Sequence, residues 1–173
     1  ECPVQADVER TAIPNSSIAV VRGRVLDASG MPLDAVRVQV LRRPEFGSTW
    51  TRTDGTFAMA VRGGEQLVFS FQKPALFSAQ REAVARRHEF IVLEDVALIA
   101  RDSQSSAINL QAGGMQVARS SMVRDASGER RATMLFAPGI QVTAEIPGGM
   151  QVPMQNLHVR ATEFTAGERG QAQ

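Results

Sequence analysis

The sequence has few of the side chains on which most enzyme active sites depend. It contains one cysteine, Cys2, one lysine, Lys73, and two histidines, His88 and His158. A single cysteine excludes a disulfide framework within the chain and a cysteine-based zinc site. Neither histidine belongs to an H-E-x-x-H motif, and no serine lies in a G-x-S-x-G elbow. We therefore expect no enzyme activity and no catalytic, cofactor-binding or metal-binding residues.

Long apolar runs and an excess of one charge are also missing. No stretch approaches the roughly 20 apolar residues that cross a bilayer. The 19 basic and 18 acidic residues leave a formal net charge of +1. Without such a run we expect no membrane insertion. Without an excess of positive charge, no electrostatic field attracts nucleic acid, so we expect no nucleic-acid partner. We also expect any export signal to lie outside this chain. For Cys2 two alternatives stay open, a disulfide to another segment or a free thiol.

Short stretches of alternating apolar residues, separated by Gly, Pro, Asp and Ser turns, predict an all-β protein. Residues 1–16 are polar and predict a linker. Seven strands are then predicted, at residues 18–26, 36–40, 49–52, 56–61, 67–71, 80–87 and 91–99. The stretch 80–87 is rich in helix formers, but its place between strands favours a strand.

A change in composition toward Ser, Gly, Met and Gln predicts a boundary near residues 101–105. A second, smaller β domain is predicted at 103–165, with strands at 107–111, 115–123, 132–136, 140–146 and 157–164, and a flexible tail at 166–173. Five methionines of this half suit either a loosely specified core or a surface docked onto another part of the protein. They are Met115, Met122, Met134, Met150 and Met154.

Residues 21–99 carry a family pattern. It runs through Arg22-Gly23-Arg24-Val25, Asp27-x-x-Gly30-x-Pro32-Leu33, Val36-x-Val38-x-Val40 and Thr53-Asp54-Gly55-x-Phe57. The pattern resembles the transthyretin-like, carboxypeptidase-regulatory-like domain. This resemblance implies a seven-stranded β-sandwich at residues 17–102.

A narrower resemblance covers most of the chain. The sandwich is similar to the domain that precedes the shell of teneurins, through Gly47, Thr51 to Phe57, Gly63-Gly64, Leu67-x-Phe69-x-Phe71, Ala75-x-Phe77, Gln80-Arg81 and Leu93-x-Asp95. Residues 157–165 resemble the segment before the YD repeats of bacterial RHS-type proteins. The resemblance implies a secreted or surface protein of bacterial origin. It also implies that the second domain plugs a YD/RHS-repeat shell of the same parent protein. In bacterial relatives this shell encloses a toxic segment, and in animal relatives it presents an adhesion surface.

One stretch departs from that family pattern. Where the family tends to carry aromatic residues after Gln80-Arg81, this chain has Val84-Ala85-Arg86-Arg87-His88. We expect this region to be more polar, and its contacts to differ from those of the family.

Three kinds of chemistry are conceivable for residues that also have simpler roles. A metal site at His88, Glu89 and Glu94 competes with ordinary surface residues, and we favour the latter. Calcium held by Asp27 and Asp54 competes with carboxylates that cap their own turns, which we also favour. A lysine–asparagine crosslink has Lys73 as its one candidate, and we disfavour it because Lys73 stands beside Pro74 in a predicted loop after a strand.

Two further functions are open to this sequence. An adhesive or ligand-binding sandwich, with another protein as its partner, would act through the loops 42–46 and 73–77. Exposure of Phe46, Trp50 and Phe77 would support it. An accessory domain of a metallocarboxypeptidase or transporter would need the sandwich alone, and it leaves the second domain unexplained.

Overall fold

The structure is a computed structural model, and it describes residues 4–125 and 128–162. The predictions for Cys2, for the end of the last strand beyond residue 162 and for the tail lie outside the described residues. The chain divides into two compact units between Ala100 and Arg101. We refer to them as unit 1 and unit 2.

Unit 1 is built from strands that follow the predicted ones closely. They are β1 (Ile18–Asp27), β2 (Arg37–Val40), β3 (Ser48–Trp50), β4 (Thr56–Arg62), β5 (Glu65–Gln72), β6 (Ala79–Ala85), β7 (Phe90–Val92) and β8 (Val96–Leu98). Two short 3-10 helices, Asn15–Ser17 and Pro44–Phe46, precede β1 and β3. The fold is therefore all-β, as predicted.

These strands form two sheets. In the first, β1 pairs antiparallel with β4 on one side and parallel with β7 and β8 on the other. In the second, the order is β3-β2-β5-β6, and all pairs are antiparallel. The register of β1 shifts by one residue between β7 (Val21 opposite Ile91) and β8 (Val25 opposite Val96). Strands β7 and β8 are thus one strand interrupted by an extra residue, and counted in this way the described part of unit 1 has the seven predicted strands.

The core of unit 1 lies between the two sheets. Alternation places Val21 and Val25 of β1 inside, while Arg22 and Arg24 point outward. Phe57 of β4 and Phe71 of β5 meet edge to face, with ring centroids 5.5 Å apart. In the described chain this core contains 18 buried apolar residues, enough for a well-packed domain interior.

The segment before β1 differs from the predicted linker because it packs onto unit 1. Ala6 exchanges two backbone hydrogen bonds with Ser48 of β3, at 2.8 and 2.9 Å. The Gln5 side chain accepts a hydrogen bond from the Ala60 N–H (2.7 Å) and donates one to the Ala60 carbonyl (2.9 Å). Ala12 is buried in the core. This segment therefore bonds to the edge strands of both sheets.

Unit 2 is a set of paired strands with a small core. Its strands are β9 (Ser106–Asn109), β10 (Gln116–Arg119), β11 (Val123–Asp125), β12 (Gly128–Arg130), β13 (Thr133–Phe136), β14 (Thr143–Ile146), β15 (Met150–Pro153) and β16 (Asn156–Val159). They pair as β9–β16, β10–β13, β11–β12 and β14–β15, all antiparallel. Its core has three buried apolar residues among those described, Ile108, Leu110 and Ala118.

The strand predicted at 115–123 is interrupted in unit 2. The Ser120 hydroxyl is buried, accepting a hydrogen bond from the Ala132 N–H and donating one to the Ser121 carbonyl. The Ser121 N–H and hydroxyl both donate to the Asp102 carboxylate, at 2.6 and 2.7 Å. These bonds draw the backbone away from a regular ladder, so β10 ends at Arg119 and β11 begins at Val123.

Candidate interaction surfaces

Unit 2 exposes apolar side chains in cross-strand pairs. Val117 of β10 lies opposite Leu135 of β13, and Ile146 of β14 lies opposite Met150 of β15. All four are exposed, Leu135 at 62% and Met150 at 61%. We call these four residues the paired apolar surface. Apolar pairs of this kind normally face a core or a partner.

Four of the five methionines named in the sequence of unit 2 are exposed. Met134 packs against the small core. The other four, Met115, Met122, Met150 and Met154, are exposed large apolar residues. Their distribution favours a surface over a loosely specified core, because flexible methionine side chains suit irregular interfaces.

The first of the two predicted contact loops is held inward. Phe46 is fully buried at the end of the 3-10 helix Pro44–Phe46. The Arg43 guanidinium stacks over the Phe46 ring at 4.6 Å and pairs with both Glu45 and Glu65. Those two carboxylates raise the Arg43 pKa above its ordinary value, Glu65 more than Glu45. Phe46 therefore gives no support to the adhesive alternative, which it would have supported if it were exposed.

The second loop keeps part of its predicted exposure. Phe77 of this loop is exposed, and so is Trp50 on β3, the third residue named for the adhesive alternative. Lys73 donates to the Asp34 carbonyl (2.6 Å) and to its carboxylate (2.9 Å). The Lys73 ammonium lowers the pKa of Asp34 below its ordinary 3.8. The ammonium thus has an aspartate as its neighbour, where the crosslink hypothesis requires an asparagine.

Asp27 and Asp54 both cap their own turns. Asp27 accepts hydrogen bonds from the Ser29 hydroxyl (2.6 Å), the Ser29 N–H (2.8 Å) and the Met31 N–H (2.9 Å). Asp54 accepts bonds from the hydroxyl and the N–H of Thr56, at 2.6 and 2.9 Å. These bonds hold the pKa of each carboxyl below 3.8, the side-chain hydroxyl having the largest effect in both. The geometry matches the turn-capping account.

His88, Glu89 and Glu94 are surface residues. The His88 Nε2 lies 3.0 Å from the Ser16 carbonyl oxygen, and the two glutamates are exposed. In the ranges 4–125 and 128–162, no group of three or more His, Cys, Asp or Glu side chains is arranged to hold a metal ion. The same ranges contain no helix of the length and hydropathy that a membrane span requires.

Sequence reasoning missed an exposed apolar edge in unit 1. Phe90 and Val92 of β7 are 66% and 76% exposed, whereas the sequence predicts the stretch 91–99 only as the strand that closes the sandwich. Ile91 and Leu93, which alternate with them, pack into or against the core. The sequence contains a signal for this edge, since residues 90–93 are all apolar and place two apolar side chains on each face of the strand. Only one of these faces can pack on the core of the sandwich.

Unit 1 is thus a two-sheet sandwich of the transthyretin-like class, with an interrupted last strand running parallel to β1. Residues 13–98 match the family described as "Teneurin TTR-like domain". Unit 1 belongs to that family.

Several teneurins are similar to this chain. Mouse Teneurin-1 is 27% identical over 153 residues, which cover 87% of this chain and 5% of the relative. Zebrafish (Danio rerio) Teneurin-3 is 30% identical over 95 residues, covering 55% and 4%. Caenorhabditis elegans Teneurin-1 is 26% identical over 120 residues, covering 61% and 4%. The chain therefore spans about one twentieth of these relatives, and the match to mouse Teneurin-1 extends beyond unit 1 into unit 2.

Proposed function

We propose that this chain is a non-enzymatic structural module that supports and plugs the YD/RHS-repeat shell of a secreted or cell-surface teneurin-like protein. Unit 1 is the supporting sandwich, and unit 2 is the plug. The family of unit 1 supports the first assignment. The 153-residue similarity to mouse Teneurin-1 supports treating both units as one module.

The paired apolar surface is the observation that carries the plug assignment. Unit 2 buries three apolar residues among those described, whereas unit 1 buries 18. At the same time Val117, Leu135, Ile146 and Met150 stay exposed. Such a balance is typical of an element whose apolar side chains are covered by another part of the protein. A shell of the same polypeptide is the partner that the family suggests.

Methionine oxidation tests the plug assignment. The chain alone and the polypeptide encoded by its complete gene are treated with hydrogen peroxide, and oxidation is followed by peptide mass spectrometry. Met115 and Met150 should oxidise quickly in the chain alone and several-fold more slowly in the full polypeptide, since a shell would cover them. Equal rates in the two proteins would refute the assignment.

Unit 1 supplies two internal controls for that experiment. Met31 lies in the exposed turn after β1, is 62% exposed, and should oxidise at the same rate in both proteins. Met59 is fully buried in the core and should stay reduced in both. A change at Met31 would show general shielding instead of coverage of unit 2.

The adhesive sandwich remains the second candidate, and Trp50 is the residue that supports it, because this large aromatic side chain is exposed on β3. Aromatic side chains of this kind often anchor protein contacts. A Trp50→Ala variant that loses adhesion to cells while keeping its shell intact would favour this candidate over the plug.

A further inference from the structure

A groove lies on the outer face of the first sheet of unit 1. It has a volume of about 540 Å³, and its lining includes Arg22, Ala58, Val92 and Asp95. Arg22 and Ala58 are cross-strand partners on β1 and β4, and Val92 lies beside Arg22 on β7. The groove therefore crosses three adjacent strands. Its volume falls in the range of roughly 300–1,000 Å³ that is typical of ligand sites.

The groove has an excess of positive charge. Three arginines line it, Arg22, Arg24 and Arg52, against a single aspartate, Asp95, which leaves a formal charge of +2. Asp95 pairs with Arg24. Arg22 has no ion pair in the described part of the chain. Its guanidinium instead stacks over the Phe90 ring at 4.5 Å, which orients it while leaving its N–H donors available.

The backbone of β7 forms a free edge beside the groove. The parallel pairing uses the Glu89 carbonyl, which accepts from Val20 (3.1 Å), and the Leu93 N–H, which donates to Arg22 (2.8 Å). In a parallel ladder alternate residues of a strand face the neighbour, so the N–H and C=O groups of Phe90 and Val92 point away from β1. No hydrogen bond to these groups is formed within residues 4–125 and 128–162. A free edge with exposed apolar side chains is a template for an added strand.

We propose that β7 and the groove bind an extended peptide segment that carries one carboxylate between apolar side chains on the same face. The peptide backbone pairs with Phe90 and Val92, its apolar side chains cover theirs, and its carboxylate reaches Arg22. Glu89 and Glu94 are exposed at the two ends of β7. These two glutamates repel acidic side chains near the ends of a bound peptide, because like charges repel. They therefore select a peptide whose single carboxylate is central.

The proposal favours a peptide over an acidic glycan. A glycan would use the arginines of the groove equally well, but it has no strand backbone to pair with Phe90 and Val92. It would also leave the apolar faces of these two side chains exposed. NMR distinguishes the two ligands, because a peptide should shift the backbone amide signals of Phe90 and Val92, whereas a glycan should shift the signals of the arginines.

The probe is the synthetic peptide acetyl-Thr-Val-Thr-Glu-Thr-Val-Thr-amide, titrated into the isotopically labelled chain and followed by NMR. The amide signals of Phe90 and Val92 should shift, with saturation at millimolar peptide or below. Replacing the central Glu of the peptide by Gln, or Arg22 by Gln in the protein, should each weaken binding about tenfold, since a charge-assisted hydrogen bond is lost. Combining the two changes should weaken binding little further, because both remove the same bond.

Arg37→Gln is the matched control. Arg37 is exposed on β2 in the second sheet, and its loss changes the net charge by the same amount. Binding should be unchanged in this variant. Equal weakening by Arg37→Gln and Arg22→Gln would overturn the proposal in favour of general charge attraction.

Val92→Pro tests the strand edge itself. Proline removes an N–H that the sheet does not use, which an edge strand tolerates, so the melting temperature should change little while peptide binding is lost. Retained binding by a folded Val92→Pro variant would overturn the proposal. Binding of a heparin hexasaccharide that shifts Arg22, Arg24 and Arg52 signals, with no response to the peptide, would also overturn it and assign the groove to an anionic glycan.

Discussion

Gly23 and Phe57 form a cross-strand pair in which the missing side chain of one makes room for the ring of the other. They lie opposite each other on β1 and β4. A Cβ atom on Gly23 would sit 2.8 Å from Phe57 Cε1 and 3.1 Å from Cζ. The ring cannot move away freely, because it is buried and packs edge to face on Phe71.

Gly23→Ala should therefore destabilise unit 1 by about 1–3 kcal/mol, the usual cost of overpacking a core. Urea unfolding followed by the fluorescence of Trp50, the one tryptophan of the chain, measures this in unit 1. Gly113→Ala is the control, because an added Cβ there has no neighbour within 4 Å. An unchanged midpoint in Gly23→Ala would show that the ring has space to move.

The Thr51 hydroxyl holds the end of β3 against the chain between β1 and β2. Its Oγ1 accepts a hydrogen bond from the Val36 N–H (2.9 Å) and donates one to the Leu33 carbonyl (2.6 Å), and the residue is buried. Thr51→Val keeps the shape but leaves both backbone groups without their partner, so we expect a loss of about 1–3 kcal/mol. Thr51→Ser keeps the hydroxyl and should lose clearly less. The same urea experiment compares the two variants, and equal losses would contradict the hydrogen-bond account.

Much of unit 1 could be predicted from the sequence because its strands have one buried face. Val36, Val38 and Val40 alternate with polar residues, and the burial of the described strands follows that alternation. Residues 80–87 contain helix formers, yet β6 forms because Ala79, Ala83 and Ala85 turn toward the core while Glu82 and Val84 face out. Tertiary packing here overrides helix propensity.

Other features left no such signal. Strand β15 is exposed at all four positions, so no alternation of burial accompanies it, and Pro153 argues against a strand. The burial of Phe46 has no periodic sequence signal, because it depends on the 3-10 turn at residues 44–46 and on the Arg43 guanidinium over its ring. The N-terminal segment packs partly through the Gln5 side-chain amide and the backbone bridge of Ala6 to Ser48, and neither of these has a sequence pattern.

Gln5 gives a prediction of its own. Its amide both donates to and accepts from Ala60, and it also donates to the Phe46 carbonyl at 2.6 Å. Gln5→Glu has the same shape, but a carboxylate has no donor for the two carbonyl oxygens. We expect a loss of about 1–2 kcal/mol and faster hydrogen exchange of the Ala60 amide, because the two carbonyl oxygens repel the carboxylate and move it away from the Ala60 N–H. Gln80→Glu, at an exposed position of β6, is the control and should alter neither quantity.

The ion pair of Glu65 with Arg43 predicts an acid dependence of stability. The hydrogen bond from Arg43, with a smaller contribution from Arg62, lowers the pKa of Glu65 below its ordinary 4.5. Because the folded-state pKa is depressed, the stabilisation is present above about pH 4.5 and is lost as the pH falls through the folded-state value. Both partners are partly exposed, so we expect a contribution of about 1 kcal/mol or less.

Glu65→Gln should lower the stability of unit 1 at pH 7 and reduce the loss of stability as the pH falls below about 4.5. Urea unfolding at a series of pH values, again followed by Trp50 fluorescence, measures both effects. Glu89→Gln removes an exposed glutamate that forms no ion pair in the described chain, and it should leave the profile unchanged. A Glu65→Gln profile parallel to that of the unaltered chain would assign the acid sensitivity to other carboxylates.

Variants of Asp27 and the addition of calcium distinguish turn capping from calcium binding. Its carboxylate accepts three hydrogen bonds from Ser29 and Met31, so Asp27→Ala should destabilise the turn by about 1 kcal/mol whether or not calcium is present. Asp27→Asn keeps the side-chain oxygen that accepts these bonds and should lose less. Adding millimolar calcium or a chelator should not change the melting temperature of the unaltered chain, because a capping carboxylate gains nothing from the ion. A rise in melting temperature with calcium that disappears in both Asp27→Asn and Asp54→Asn would show instead that the two turns share a cation.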